Sequence, residues 1–156
     1  MLGGTCPMLI KQGQLDANGH PYVEIIVSAD GTEGSGTTFQ ALIDTGFTGF
    51  VSLPIIAATT LKLQPHTTAR YELANGKLSD PIPLARAFAC VSGDRFIAGL
   101  ISISEHARVL IGVEFLRTCG KSLIFSSNSI GIIDDEEFKK YIAEQGAAQK
   151  ATGSAS

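Results

Sequence analysis

The residues with the clearest potential for chemistry are Asp44-Thr45-Gly46, which place an ionisable carboxylate between an apolar segment and a glycine turn. Residues 39–43 have the apolar alternation of a strand, and Thr45 and Gly46 favour a turn that exposes the carboxylate at the end of that strand. A carboxylate in such a turn often does no more than accept hydrogen bonds from nearby backbone N–H groups. The tripeptide alone leaves a structural and a catalytic interpretation open.

Two later segments add to this pattern. Residues 71–78 form two strand-like arms around Asn75-Gly76, and an Asn-Gly pair in that setting is the strongest short-range indicator of a β-hairpin. Residues 109–116 begin as an apolar strand, reach Gly112 and continue with the pattern of a short helix. The order along the chain is an acidic turn, a hairpin and an apolar strand that ends in glycine.

This order resembles that of the retropepsin-like aspartic proteases, the single-domain clan that includes the retroviral enzymes. It is most similar to the prokaryotic members in which phenylalanine follows Asp-Thr-Gly, as Phe47 does here. The resemblance covers approximately residues 7–133. It implies a mostly β fold, a closed barrel or sandwich with one or two short helices, and aspartic endopeptidase activity without a cofactor.

The chemistry of such an enzyme needs two carboxyl groups. One group must take a proton from water while another gives a proton to the carbonyl oxygen of the peptide. Two carboxyl groups about 3 Å apart share one proton, so the pair contains an acid and a base at once. This chain has a single Asp-Thr-Gly. The enzyme interpretation therefore requires a homodimer in which Asp44 meets its symmetry mate at a two-fold axis.

The resemblance implies a role for each matching position. Asp44 would be catalytic, Thr45 would join the two active-site loops across the axis, and Gly46 would let a substrate backbone approach. The hairpin tip would close over a bound peptide as a flap, and apolar side chains would form pocket walls that favour extended, apolar-flanked substrates. The implied substrate-binding residues are Leu42, Phe47, Thr48, Ala74, Asn75, Gly76 and Leu110. Residues 8–11 and 123–125 would be candidates for an intersubunit sheet.

The chain also departs from the retroviral pattern at three positions. Phe47 replaces the small residue that usually follows the glycine, and Thr48 stands where an aspartate binds the substrate backbone. Val113 stands where an arginine often braces the active-site loop. These changes leave the acidic residue in place and bear on dimer affinity, substrate register and pH optimum.

Composition suits one domain. The chain has 156 residues, of which 44% are hydrophobic and 17% charged, enough for a sizeable core. We expect a protease domain over residues 1–133, a C-terminal helix over 134–146 that begins at about Asp135 and ends near Gln145, and a disordered tail over 147–156.

Charge and hydropathy argue against several partners. The net charge is −3 and the basic residues are scattered, so neither nucleic acid nor an anionic membrane is an expected partner. The N-terminus lacks the pattern of a signal peptide, and no apolar stretch approaches the ~20 residues that cross a bilayer. The expected compartment is the cytoplasm.

Other reactive residues show no functional spacing. The three cysteines are far apart and odd in number, which argues against a disulfide framework or a zinc site and favours buried thiols. The histidines lack metal-ligand spacing, so no metal is expected. Ser104-Glu105-His106 is not a catalytic triad, because a triad needs separate loops to converge. The glycine-rich segment 31–37 lacks a phosphate-loop ending and predicts a hairpin connection.

The remaining pattern consists of short strands and turns. Strands are predicted over residues 8–15, 22–29, 37–44, 71–73, 83–91 and 95–103, with short helices over 54–63 and 113–118. Two alternatives to the enzyme stay open. One is a non-catalytic retropepsin-fold module for peptide binding or dimerisation, and the other is an unrelated small β-barrel with a fortuitous Asp-Thr-Gly, in which Asp44 would be exposed and far from the hairpin.

Overall fold

A computed structural model describes residues 11–153 of the chain, which form eleven strands and three helices. The strands are β1 (Lys11–Gln12), β2 (Gln14–Leu15), β3 (Pro21–Ser28), β4 (Thr37–Ile43), β5 (Val51–Pro54), β6 (Pro65–Ala69), β7 (Ile82–Val91), β8 (Ile97–Ser104), β9 (Leu110–Ile111), β10 (Lys121–Phe125) and β11 (Ile130–Asp134). The helices are α1 (Ile55–Thr60), α2 (Val113–Thr118) and α3 (Asp135–Gly153).

Six of the strands close into a barrel. Its order is β3-β4-β9-β5-β8-β7, and β7 returns to pair with β3, where Val91 lies opposite Ile25. Most neighbours are antiparallel, but β4–β9 and β5–β8 are parallel. The short β9 therefore lies between β4 and β5. This arrangement brings the end of the Asp44 strand next to the segment that contains Gly112.

The barrel interior follows from alternating side chains. In β3, Val23, Ile25 and Val27 are buried while Glu24 is exposed, as expected for a strand with one face on the core. Just before β5, the buried ring of Phe50 packs on the buried ring of Phe115 in α2, with centroids 5.3 Å apart. An aromatic pair of this kind adds about 0.5–1.5 kcal/mol beyond its buried area. The contact fixes α2 against the segment that leads into β5.

A second, three-stranded sheet has the order β1-β11-β10. Lys121 at the start of β10 is 8% exposed, and its ammonium group binds Asp94 at 2.8 Å and also contacts Asp134. Because Asp94 belongs to the turn between β7 and β8, this ion-pair cluster joins the terminal sheet to the barrel. The first turn of α3 is fixed to the same sheet, since the Ser122 hydroxyl donates to an Asp135 carboxylate oxygen at 2.6 Å.

The structure confirms a mostly β, closed-barrel fold with short helices and an added C-terminal helix. The predicted strands at β3, β4, β7 and β8 and the helix α2 are present, and the glycine-rich segment connects β3 to β4 as a hairpin. The predicted strand over residues 8–15 is observed as β1 and β2, while its first three residues lie outside the described part of the chain.

Three predictions need correction. Residues 71–73 are not a strand, because the hairpin is closed by one bridge between Glu72 and Leu78. The segments β5, β6 and β11 are strands that the sequence pattern did not predict. The helix α3 runs to Gly153 rather than ending near Gln145, so the expected disorder is wrong for residues 147–153, where alanine, glutamine and lysine have high helix propensity.

The apolar stripe of helix α3 is only partly buried. Phe138 is half-buried, whereas Tyr141 and Ile142, which continue its apolar stripe, remain exposed. Within residues 11–153, none of the helices has both the length and the apolar character needed to span a membrane.

Candidate active site

Asp44 is the first residue after β4 and is partly buried. Its N–H donates to the carbonyl oxygen of Ile111 at 3.0 Å, and its own carbonyl oxygen accepts from the N–H of Phe47 at 3.1 Å. Its carboxylate oxygen Oδ1 accepts from the N–H of Gly46 at 2.9 Å. Backbone and side chain together hold the carboxylate in a turn of fixed shape.

The loop of residues 44–50, called here the Asp44 loop, is held from one side by β9 and the start of α2. In addition to the bond from Asp44, the N–H of Gly112 donates to Phe50 at 3.0 Å and the N–H of Val113 donates to Phe47 at 2.9 Å. Val113 stands where the family resemblance expects a bracing arginine. The brace in this chain is therefore made by backbone groups, which need no charged side chain.

Close backbone contact explains the glycine in the apolar strand. A Cβ atom on Gly112 would overlap the carbonyl oxygen of Gly49 and would lie 2.5 Å from that of Phe47. Real Cβ atoms do not approach backbone oxygens so closely, so only glycine fits. The apolar strand with glycine that the sequence indicates is thus the partner of the acidic turn.

Four of the expected substrate-binding residues lie on or beside the Asp44 loop. Leu42 of β4 and Leu110 of β9 are register partners on adjacent parallel strands, and both are half-buried. Phe47 is half-buried and Thr48 is exposed. The structure therefore brings these four positions together with Asp44, Thr45 and Gly46, of which Thr45 and Gly46 are exposed.

The hairpin of residues 71–79 carries the other three. Its tip residues Ala74, Asn75 and Gly76 are exposed, and the turn is stabilised internally, since the Asn75 side chain accepts from the N–H of Lys77 at 3.0 Å. The contact that links this hairpin to the Asp44 loop is at its base. The ring of Tyr71 meets the ring of Phe47 edge to face, with centroids 5.3 Å apart.

Tyr71 and its hydrogen-bond partner Ser102 were not predicted from the sequence as parts of the site. The hydroxyl of Tyr71 and the buried hydroxyl of Ser102 are hydrogen-bonded at 2.8 Å. The hairpin signal included Tyr71 only as a strand residue, and nothing in the sequence pairs it with a serine of a distant strand. Both emerge from the barrel topology.

The remaining candidates take structural positions. Cys90 is buried and Cys119 is half-buried, and Cys6 lies outside the described residues. The imidazole of His20 pairs with Asp16 at 3.0 Å. The Ser104 hydroxyl accepts from the N–H of His106, which makes Ser104-Glu105-His106 a local turn. Within residues 11–153, no group of three or more metal-ligating side chains is placed to hold a metal ion.

Comparisons with known proteins agree on the fold. No family model and no curated protein matches this chain by sequence. A retropepsin-like aspartic protease from Rickettsia conorii matches its structure with a TM-score of 0.59 and 14% identity, over 86% of this chain and 98% of that protein. The EIAV protease, solved in complex with the inhibitor HBY-793, matches with a TM-score of 0.52 and 15% identity, over 72% of this chain and 99% of that protein.

These likenesses establish that the fold is retropepsin-like. The alternative of a small barrel of another fold is therefore wrong. It also required an exposed Asp44 far from the hairpin, whereas Asp44 is partly buried and the hairpin base contacts the loop that carries it. Since one fold can support several functions, activity has to be argued from the site.

Proposed function

We propose that this protein is an aspartic endopeptidase that acts as a homodimer, with Asp44 of each subunit contributing half of the catalytic pair. The observation that carries the proposal is the placement of Asp44 on a fixed turn that follows β4 and is hydrogen-bonded to β9, in a retropepsin-like fold. A single chain supplies one such carboxyl group, and the second would come from the partner across a two-fold axis.

In the proposed reaction the two Asp44 carboxyl groups share one proton. The ionised group takes a proton from a water molecule as the water oxygen bonds to the peptide carbonyl carbon, and the protonated group gives its proton to the carbonyl oxygen. The tetrahedral intermediate then collapses. Its C–N bond breaks as the nitrogen receives the proton held by one carboxyl group, while a hydroxyl group of the intermediate gives its proton to the other carboxylate. The products are a carboxylic acid and an amine, and the pair again holds one proton.

Substrates would be extended peptides with apolar side chains at the cleaved bond. Leu42, Phe47 and Leu110 would form pocket walls beside the pair, and Thr48 would contact the substrate backbone. An extended peptide suits such a cleft because strand-like pairing satisfies main-chain groups on both partners. The hairpin tip at residues 74–76 would cover the bound peptide and exclude water.

The dimer contact would include β10. This strand lies at an edge of the terminal sheet, with β11 on one side and no partner strand from residues 11–153 on the other. Phe125 at its end is 58% exposed. The N-terminal candidate β1 is the other edge strand of this sheet, but its described part has 2 residues whereas β10 has 5, and residues 8–10 lie outside the described structure. The compartment we propose is the cytoplasm.

The first experiment compares the wild type with Asp44→Asn on a mixed peptide library between pH 3.5 and 7.5, with cleavage products read by mass spectrometry. The substitution keeps the size of the side chain and removes its acid–base function, so cleavage should fall by at least ~10³-fold. Asp80→Asn is the matched control, because Asp80 is an exposed carboxylate outside the proposed site. Equal cleavage by the wild type and Asp44→Asn would end the proposal.

A mixing experiment tests whether two subunits share one active centre. Wild-type and Asp44→Asn proteins are combined at equal concentration, allowed to exchange subunits, and assayed at constant total protein. If both Asp44 groups are needed, only wild-type homodimers work, and activity falls to about a quarter of that of wild type alone. A value of about one half would show that each chain acts by itself.

The non-catalytic peptide-binding or dimerisation module predicts a different pair of results. Neither protein would cleave the library at any pH, and library peptides would still bind equally well to the wild type and to Asp44→Asn. Sedimentation of both proteins would then show whether dimers form independently of chemistry.

A further inference from the structure

The hairpin of residues 71–79 is held together by its own hydrogen bonds, and residues 72–78 are exposed. One bridge joins its arms at Glu72 and Leu78, and the N–H of Leu73 donates to the carbonyl oxygen of Lys77 at 2.7 Å. At its base, the N–H of Ser79 donates to the carbonyl oxygen of Tyr71 at 2.8 Å and the N–H of Tyr71 donates to the Ser79 hydroxyl at 2.9 Å. The contacts of the Tyr71 side chain with the rest of the protein therefore determine the position of the hairpin base.

The Tyr71 side chain is held by two contacts with different parts of the molecule. Its hydroxyl pairs with that of Ser102 at 2.8 Å, and Ser102 is a β8 residue that is 1% exposed. Its ring packs edge to face on Phe47 of the Asp44 loop, with centroids 5.3 Å apart. Burial makes the hydroxyl pair directional and costly to break, since an unpartnered hydroxyl in the barrel wall loses its solvation without compensation.

Two glycines make room for this arrangement. A Cβ on Gly49 would lie 2.5 Å from the ring of Phe47 and 3.0 Å from the Tyr71 hydroxyl oxygen. A Cβ on Gly112 would lie 2.7 Å from another atom of the Phe47 ring. The ring of Phe47 therefore packs closely against two glycine backbones and the Tyr71 ring, which leaves it little room to move independently of Tyr71.

We infer that Phe47, Tyr71 and Ser102 form a latch that couples the hairpin to the Asp44 loop, with Tyr71 as a positioning residue for substrate closure. The part of this inference that concerns closure over a substrate rests on the proposed function. Ser102 fixes the hairpin base to the barrel, and Phe47 relays its position to the loop. The latch also gives a reason for the large side chain of Phe47, where the retroviral pattern has a small residue.

The test uses Tyr71→Phe, Ser102→Ala and the double variant, with Tyr141→Phe as the matched control because Tyr141 is an exposed tyrosine on α3. Amide hydrogen exchange is measured by mass spectrometry over residues 71–79 and 44–50. Tyr71→Phe keeps the ring and removes the hydroxyl, so exchange should accelerate roughly three- to tenfold in both segments. The double variant should be no faster than the single variants, since all three remove one bond.

Peptide cleavage supplies the second readout. Loosening the latch should raise KM roughly three- to tenfold with kcat within about twofold and the pH profile unchanged, because closure becomes costlier while the acid–base pair is untouched. A merely structural role would lower Tm and leave KM unchanged.

Two results would overturn the latch. One is exchange over residues 71–79 that stays at the wild-type rate in Tyr71→Phe, and the other is faster exchange there with no change over residues 44–50. Because hydrogen exchange needs no catalysis, these outcomes are independent of whether the protein cleaves peptides. Conversely, loss of the proposed function would show in Asp44→Asn, whose Tyr71 contacts are intact.

Discussion

Gly112 and Gly49 lie so close together that any side chain on Gly112 would overlap the Gly49 carbonyl oxygen. The φ angle of Gly112 is −107°, a value that every residue adopts, so the requirement for glycine is steric and not conformational. The contact joins the Asp44 loop to the start of α2. It makes Gly112 part of the site without any chemistry of its own.

We predict that Gly112→Ala destabilises the protein by about 1–3 kcal/mol, because the added methyl group pushes against backbone atoms that cannot rotate away. Urea unfolding measures the loss. The loop shift should also reduce peptide cleavage more than the stability loss explains, since residues 44–50 carry the proposed catalytic group.

Gly146→Ala is the control for this substitution. Gly146 lies in α3, and a Cβ there would meet nothing within 4 Å. Alanine in a helix interior is favoured over glycine by about 1 kcal/mol, so this variant should be as stable as the wild type or more so. Equal stability of Gly112→Ala and the wild type would contradict the steric argument.

The parts of the fold that sequence predicted share one property. In β3 and β4, over residues 85–89 of β7 and over residues 97–101 of β8, more buried and more exposed positions alternate, and this alternation reveals such strands in the sequence. The three buried residues that begin β5, Val51, Ser52 and Leu53, do not alternate, and β6 is largely polar and exposed. These strands form because β7, β8 and β9 offer backbone partners, which no local pattern encodes.

The candidate site divides in the same way. The Asp44 turn and the strand before Gly112 each have a local signal, and their order along the chain predicted that they belong together. The hydrogen bond between Tyr71 and Ser102 has no such signal, because it joins residues 31 positions apart through the closure of the barrel. Pairings that depend on closure become visible only in three dimensions.

Lys121 provides a prediction about the terminal sheet. Replacement by methionine keeps the apolar stem and leaves Asp94 and Asp134 without their shared cation, so we expect a loss of about 1–3 kcal/mol, reduced from the fully buried case because Asp134 is 56% exposed. Lys139→Met is the control, since Lys139 is 73% exposed and its ion pair with Glu136 spans 3.5 Å. It should change stability by less than about 0.5 kcal/mol.

The stabilisation by the contacts of Lys121 with Asp94 and Asp134 should depend on pH in one direction. Burial acts to lower the pKa of Lys121, but hydrogen bonds to Asp134 and Asp94 outweigh it, and the net pKa is raised above 10.5. The stabilisation is therefore fully present below about pH 10 and is lost as the pH rises through the raised pKa. The difference between the wild type and Lys121→Met, measured by urea unfolding from pH 8 to 11, should shrink only at the alkaline end. A difference that shrinks between pH 8 and 9 would contradict this.

For the loop between β3 and β4 we predict the opposite pH dependence of stability, because Asp30 contributes to stability in its ionised form. The N–H of Thr32 is the main cause that lowers the pKa of Asp30 to about 2, and the hydroxyls of Thr32 and Ser35 add to it. The ionised carboxylate therefore stabilises the loop above pH 3.8, and this contribution is lost as the pH falls through about 2. Asp30→Asn should be less stable than the wild type at pH 7, and the difference should decrease between about pH 4 and pH 2.

Chemical unfolding at a series of pH values measures that difference. Glu33→Gln is the control, because Glu33 is an exposed acid in the same loop, and its stability at pH 7 should match that of the wild type. An Asp30→Asn protein whose deficit grows on acidification would show that the carboxylate is not held in its charged form.

Cys119 provides a prediction about reactivity. Burial is the main cause that raises the pKa of its thiol to about 11; Lys121 opposes the shift, and Asp94 and Cys90 add to it. Because the thiolate is the reactive form, Cys119 should react with iodoacetamide at pH 7.5 about a hundredfold more slowly than a thiol of pKa 9.0. The measurement uses a Cys6→Ser protein, with alkylation followed by mass spectrometry of the peptides that contain Cys90 and Cys119.

The same protein unfolded in urea serves as the reference, since the Cys119 thiol then regains an ordinary pKa and both thiols are accessible. Removing the nearby cation with Lys121→Met should slow Cys119 further, because the ammonium group of Lys121 favours its thiolate. Faster alkylation of Cys119 in Lys121→Met would instead mean that the ion-pair cluster protects the thiol by holding the terminal sheet closed over it. Exchange rates over β10 would distinguish that opening from a change in thiol acidity, because only the opening would accelerate them.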